Sequence, residues 1–189
     1  MRGSVKPCLL RLALGAMGRA TFRFATVALA VLAVGCASSV RRVDGTFRHV
    51  RHGYTIAAPA PDWKAVDVDH ATLAFVRGRS ETMSLKSRCG RPVAKAELMA
   101  RHLLIGLDPR DVVTSEPIRV DGRAGWLQVV RTESQGRDVW LRTVTLVEGE
   151  CSFDWVLATS VRPGPVEAEF DAWWESFRLE DSSAGDTDS

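Results

Sequence analysis

The feature that most restricts the fold of this 189-residue chain is a run of three long strand-like segments. They are Ala124 to Thr132, Asp138 to Val147 and Cys151 to Thr159, and the turns between them, ESQG and EGE, are short. Connections of this length join antiparallel neighbours, because parallel strands need a crossover of about a dozen or more residues. The sequence therefore predicts an antiparallel meander.

Further strands are predicted before the meander. Asp121-Gly122 is a strong hairpin signal, and the turn sequence RGRS at residues 77–80 indicates a second hairpin. The remaining predicted strands are Gly53 to Ala57, Ala71 to Val76, Thr82 to Cys89, Val112 to Val113 and Ile118 to Val120.

Two helices complete the predicted elements. Pro92 suits the first turn of a helix that runs to about Leu104 and ends before Gly106. The second helix runs from about Val166 to Phe177, and its aromatic residues fall on one face. Those aromatic residues are Phe170, Trp173, Trp174 and Phe177. An antiparallel sheet packed by helices with apolar faces is an α+β fold.

Two segments are similar to a known family. GYTIAAPAPDWKAV, residues 53–66, resembles the opening strand, proline and tryptophan of the PsbP/DcrB-like superfamily. EFDAWWESFRL, residues 169–179, resembles its closing helix. The resemblance covers Phe47 to Leu179 and implies an α/β/α sandwich. It also implies a binding or assembly factor without catalytic activity.

The N-terminal segment resembles a lipoprotein signal. The apolar run Ala25 to Val34 is too short to span a membrane, which takes about 20 residues, but it suits a secretory signal. The following sequence LAVGC, ending at Cys36, resembles the lipobox of bacterial lipoproteins. Three residues before the cysteine, where this chain has Ala33, leucine is more usual in that family. That resemblance implies cleavage before Cys36 and a diacylglyceryl group on its sulfur. An ordinary cleaved signal with a chance cysteine and an uncleaved anchor are the alternatives.

The family pattern also bears on location. Ala37 is not the aspartate that retains lipoproteins at the inner membrane, so the resemblance favours the outer membrane, with the domain facing the periplasm. The segment before the apolar run is unusually long for a signal, so the true start is either Met1 or Met17. The expected organisation is a signal over residues 1–36, a tether over 37–46, one domain over 47–179 and a disordered acidic tail over 180–189.

The cysteines fit an oxidising compartment. Cys8 leaves with the signal and Cys36 carries the lipid, so Cys89 and Cys151 remain. Both fall on the apolar faces of their strands, which predicts a disulfide between them. Two buried free thiols are the alternative.

Charge and motifs exclude several classes of function. The chain has 25 Lys+Arg and 23 Asp+Glu, and the signal removes five basic residues, so the mature charge is 20 − 23 = −3. A basic patch with interleaved aromatic residues is missing, so nucleic acid is not an expected partner. The sequence has no nucleophile elbow, phosphate loop or dinucleotide fingerprint. We therefore expect no enzyme, no cofactor and no metal site.

The histidines are not expected to bind a metal ion or to act in catalysis. His49 and His52 are interpreted as solvated loop residues, and His70, which follows Asp67 and Asp69, as part of a polar loop. His102 lies in the first helix without a catalytic partner in the sequence. The six tryptophans are interpreted mainly as core and strand residues.

Three hypotheses on function follow. The first is a lipid-anchored envelope protein that binds a partner protein as an accessory factor in envelope assembly or transport. The second is a periplasmic carrier of a small molecule or lipid, which needs a deep apolar cavity. The third is a hydrolase, which needs polar side chains that converge in a cleft with perturbed pKa values. The sequence names neither the partner, the process nor the oligomeric state.

Overall fold

The computed structural model describes residues 39–107, 110–160 and 164–180. The predicted signal at 1–36, lipidation at Cys36, and residues 181–189 of the predicted tail lie outside these ranges. None of the helices within them is long and apolar enough to cross a membrane.

The described residues form eleven strands and two helices. The strands are β1 Val40–Val43, β2 Thr46–His49, β3 Tyr54–Ala57, β4 Lys64–Ala65, β5 Leu73–Arg77, β6 Glu81–Arg88, β7 Arg110–Val120, β8 Arg123–Ser134, β9 Arg137–Glu148, β10 Cys151–Thr159 and β11 Arg178–Leu179. The helices are α1 Ala96–His102 and α2 Pro165–Glu175. The fold class is α+β, as the sequence predicts.

The strands form two antiparallel sheets. The larger sheet has the order β4-β5-β6-β10-β9-β8-β7, and the smaller has the order β1-β2-β3-β11. The meander of β8, β9 and β10 pairs without a break in register. The predicted Asp121-Gly122 turn joins β7 to β8, and both residues have the positive φ that a tight hairpin turn requires.

One face of the larger sheet holds the main core. Phe177, just after α2, packs against Phe153 and Trp155 of β10, with ring centroids 5.1 and 4.9 Å apart. Tyr54 of β3 packs against Phe153 and Phe177, so α2 and the smaller sheet cover this face together. The four aromatic residues predicted to share a face of the closing helix are all buried.

The opposite face is covered in part by α1, which packs on β8 and β9. Ala100 of α1 and Leu104, just after the helix, are buried over a polar part of the sheet, where Gln128, Thr143 and Thr145 are buried. A short helix over polar sheet residues leaves grooves at both of its ends, and these grooves contain the candidate sites.

Three predicted boundaries need correction. Val40–Val43 forms β1 within the predicted tether, because its backbone pairs with β2 although most of its side chains are exposed. Glu180 is held by the domain, since its N–H donates to the Gly53 carbonyl at 2.7 Å. The first helix begins at Ala96, and Pro92 lies in the extended segment that precedes it.

The two short strands predicted at 112–113 and 118–120 are one strand, β7. Pro117 lies between the two predicted segments, and it is tolerated within the strand because β7 is at the edge of the sheet. A register shift between Val112 and Thr114 also hides the alternation of apolar residues.

Candidate functional site

A cleft of about 600 Å³ opens at one end of the larger sheet, beside a disulfide between Cys89 and Cys151. Residues from four separate parts of the chain line it, among them His52, Ser87, Arg88, Arg91, Pro92 and Met99. Its size is in the range of small-molecule sites. We refer to it as the disulfide cleft.

The disulfide positions one wall of the disulfide cleft. It joins the end of β6 to the start of β10, which are paired neighbours in the sheet. Gly90, with φ +83°, then turns the chain so that residues 91–95 run to the start of α1. The predicted pairing is present in the structure, and it fixes the segment that carries Arg91 and Pro92.

Two stacked histidines separate the disulfide cleft from the first described residue of the chain. The ring centroids of His49 and His52 lie 4.1 Å apart, and the backbone N–H of His52 donates to His49 Nδ1 at 2.9 Å. Ser39 Oγ is 3.1 Å from His49 Nε2. On the cleft side, His52 Nδ1 is 2.8 Å from Ser87 Oγ, which also contacts the Thr72 hydroxyl at 3.1 Å.

The interpretation as a solvated loop residue is wrong for His49, which is in β2 and only 3% exposed. His52 lies in the turn after β2, as expected, but it is half-buried. Burial lowers the pKa of His49 to about 4, and the neighbouring His52 adds to the effect. The pKa of His52 is also lowered, chiefly by burial and then by Arg51. The pair is therefore uncharged at neutral pH.

We predict that acid destabilises the domain through His49. Because its pKa is lowered from 6.5 to about 4 by folding, the unfolded chain binds more protons between these values, and stability falls as pH drops from about 6.5. Thermal unfolding between pH 7 and pH 5 should show this loss. His49→Phe should flatten the dependence, whereas His70→Asn, in an exposed loop with φ +75°, should retain it. Equal pH profiles for the two variants would contradict the assignment.

Ser87 and His52 are the closest approach to a catalytic pair among the described residues. Nucleophilic catalysis also needs a group that orients the histidine and donors for an oxyanion. The contacts of the His52 ring are with Ser87 and His49, and Ser87 is bonded on its other side to Thr72. This arrangement is a buried hydrogen-bonded link between the two sheets.

The other predicted loop residues do not converge. Within the described ranges, no group of three or more His, Cys, Asp or Glu residues is placed to hold a metal ion. Asp67, Asp69 and His70 are all exposed. His102 lines the disulfide cleft from α1, which the sequence did not indicate.

The floor of the disulfide cleft is polar. Ser152 is 0% exposed, and its hydroxyl has no hydrogen-bond partner in the part of the chain that the structure describes. The neighbouring Asp154 is 1% exposed; burial raises its pKa, and Thr145 and Arg88 oppose that rise. Arg88 approaches it at 3.5 Å while remaining half exposed at the rim. A buried hydroxyl without a partner normally calls for an explanation such as a bound ligand or water.

A second groove, of about 330 Å³, lies between the end of α1 and the edge strand β7. Leu104, Arg110, Val112 and Gln128 are among its lining residues. Gln128 is 3% exposed, and its Oε1 accepts no hydrogen bond, although its amide group reaches Ser115 Oγ at 3.3 Å. We refer to this as the edge groove.

Exposed apolar residues lie beside the edge groove, which Arg101 and Arg110 also line. Val112 and Val113 of β7 are 52% and 55% exposed, and Ile105, next to Leu104, is 73% exposed. β7 pairs only with β8 among the described strands, so its other edge presents backbone groups to solvent. The sequence did not reveal this surface because Pro117 obscured the strand.

The tryptophans mostly serve packing, as interpreted from the sequence. Trp155 and Trp173 are buried, and the indole N–H of Trp173 donates to the Ala57 carbonyl at 3.0 Å. The indole N–H of Trp63 donates to Glu169 at 3.0 Å, and the Arg77 guanidinium stacks on the Trp63 ring, 4.6 Å from its centroid. Trp126 is half-buried near the edge groove, where it donates to Ser115.

Taken together, the two sheets and two helices have the PsbP-like fold. Cyanobacterial PsbP (CyanoP) from Synechocystis sp. PCC 6803 superposes with a TM-score of 0.54 at 17% identity, over 78% of this chain and 95% of that one. The Ran-binding protein Mog1p of Saccharomyces cerevisiae has a TM-score of 0.54 at 11% identity, over 76% and 97%. LpqN, a Mycobacterium tuberculosis protein involved in cell envelope biogenesis, has a TM-score of 0.48 at 18% identity, over 69% and 86%.

No protein-family model and no curated protein matches this sequence. At such identities, the likeness to CyanoP and Mog1p establishes the fold alone. It confirms the α+β fold with PsbP-like architecture that the resemblance implies.

Proposed function

We propose that this protein is a lipid-anchored protein of the bacterial cell envelope, held at the outer membrane by Cys36 with its domain in the periplasm. The domain is a non-catalytic accessory factor in envelope assembly or transport, and it binds a partner protein. The observation that carries the proposal is the edge groove, an open strand edge beside an exposed apolar rim.

The edge groove suits an extended segment of a partner. An unpaired strand edge can accept another strand through backbone hydrogen bonds, and pockets along it select side chains. Val112, Val113 and Ile105 offer apolar surface to alternate side chains of such a segment. The free Oε1 of Gln128 accepts a hydrogen bond from an N–H that the segment supplies. A backbone amide provides that donor at every residue except proline.

The fold is compatible with this role. Mog1p has the same architecture and is a Ran-binding protein, so the scaffold can present a surface to another protein. Pro117 and the bulge near Val113 distort the edge. These features are typical of edges that are protected against indiscriminate pairing, which favours a specific partner.

The carrier hypothesis receives less support. It requires a deep apolar cavity between the sheet and a helix. Phe153, Trp155 and Phe177 occupy the space between α2 and the larger sheet, and all three are 0% exposed. The disulfide cleft has an apolar wall, but it is an open cleft at the end of the sheet, and Arg88, Arg91 and Glu150 also line it.

We expect a photo-crosslinking side chain placed at Val113 to capture one discrete protein in intact cells. The crosslink should form because the edge groove brings position 113 against the partner, and Val112→Asp should abolish it by placing a charge in the apolar rim. Crosslinked protein is detected by electrophoresis and identified by mass spectrometry.

The matched control carries the same probe at Val68, which is 47% exposed and far along the larger sheet beside β4. Position 68 should give no corresponding product. The same product from both positions, or a product from position 113 that survives Val112→Asp, would contradict binding at the edge groove. No product from position 113 would also contradict it.

A further inference from the structure

We infer that the disulfide cleft is held against the membrane surface and binds the phosphate group of an anionic phospholipid. The inference goes beyond partner binding at the edge groove, and it rests on the proposed anchor at Cys36. Three observations carry it: the distance from the anchor, the charges at the rim and the chemistry of the cleft wall.

The anchor limits the distance between the membrane and this end of the domain. Only residues 37 and 38 separate Cys36 from Ser39, and a chain extends by at most about 3.5 Å per residue. The lipid attachment point is therefore within about 11 Å of Ser39, whatever path those residues take. Ser39 contacts His49, which stacks on the cleft-lining His52. The disulfide cleft is thus linked through His52 and His49 to Ser39, the described residue nearest in sequence to the anchor.

One charge at the rim favours an anion. Arg88 and Arg91 line the disulfide cleft together with the acid Glu150, and Arg88 already faces the buried Asp154. The lowered pKa of His52 leaves that ring uncharged at neutral pH. Arg91 is exposed and forms no ion pair with any residue that the structure describes, so its guanidinium is available. Arginine binds phosphate oxygens well because its planar group donates two parallel hydrogen bonds.

The floor and wall fit a phospholipid better than a free anion. The Ser152 hydroxyl is buried beneath the floor without a hydrogen-bond partner among the described residues, and it would donate to a phosphate oxygen once the side chains over it move aside. Pro92, Val93 and Met99 form an apolar wall that a soluble anion would leave unused. The glycerol end of an acyl chain can contact that wall while the phosphate meets the arginines.

The test uses the mature lipoprotein reconstituted in vesicles. One set is phosphatidylcholine alone, and the other is phosphatidylcholine with phosphatidylglycerol that includes a photoactivatable phosphatidylglycerol. We expect lipid crosslinks to map to residues 88–94 by mass spectrometry. Arg91→Glu should lower this labelling at least about fivefold, the factor expected from one basic residue at an anionic surface.

Arg79→Glu is the matched control. Arg79 is an exposed arginine in the turn of the β5–β6 hairpin, at the opposite end of β6 from the disulfide. Its variant should label like the wild type. Arg88→Gln is a second test at the cleft, with folding checked separately because Arg88 faces the buried Asp154.

The outcomes separate the two proposals. Protein that fails to remain with either set of vesicles would count against the Cys36 anchor. Anchored protein that labels equally in Arg91→Glu and Arg79→Glu, or labels outside residues 88–94, would overturn the inference about the cleft. Labelling abolished by inorganic phosphate would assign the site to a free anion and would overturn it also.

Discussion

Replacing Cys151 by serine is expected to lower the free energy of unfolding by about 4 kcal/mol. The disulfide closes a loop with a sequence separation of 62 residues, and loss of that cross-link gives the unfolded chain more conformations. For a domain of this size, the melting temperature should fall by about 10 °C. Thermal unfolding followed by circular dichroism under oxidising conditions measures the change.

Reductant provides the control for this prediction. The reduced wild type should melt close to Cys151→Ser, and reductant should have little effect on the variant. An unchanged melting curve, or two thiols that alkylate freely in the native protein, would refute the bridge. Because the bridge also fixes residues 91–95, its loss should reduce lipid labelling at the disulfide cleft.

The sequence predicts the meander well because its signals are local. The ESQG and EGE turns and the Asp121-Gly122 hairpin each join consecutive segments, and alternation assigns the buried face of each strand. The closing helix is equally clear, since Phe170, Trp173, Trp174 and Phe177 share one helical face and are buried. These elements need no knowledge of distant contacts.

The edges of the fold are less predictable. β1 has two arginines between valines. Its sequence therefore lacks the alternation of polar and apolar residues that would reveal a strand. His49 looks like any polar loop residue, and its ring is buried only because the smaller sheet places it against Ser39 and Tyr54. In β7, proline and a bulge interrupt the expected periodicity.

The candidate sites could not be predicted because each joins segments that are distant in sequence. His52, Ser87, Met99 and Ser152 meet at the disulfide cleft only after both sheets and α1 are in place. The predicted bridge gave one indication, since it places Cys89 beside Cys151. Within the described residues, the Ser152 hydroxyl and the Gln128 Oε1 lack a partner because of how the sheet packs, and no residue pattern encodes that.

Cys36→Ser is expected to abolish lipid attachment completely. The sulfur of Cys36 is the acceptor that the lipobox resemblance implies, and a serine hydroxyl does not replace it. Labelled palmitate fed to growing cells should enter the wild-type protein and should be absent from the variant. Cys8→Ser is the matched control, because Cys8 belongs to the predicted signal and its loss should leave the label unchanged.

The same residue should determine membrane attachment. A diacyl anchor holds a protein stably where a single chain does not, so the domain should follow the lipid. To avoid retention by an uncut signal, the Cys36→Ser chain is exported behind a signal cleaved by the general signal peptidase, and we expect it in the soluble periplasmic fraction. The wild type should remain with outer membranes. Palmitate in the Cys36→Ser protein, or membrane retention of its cleaved form, would show that another part of the chain attaches it.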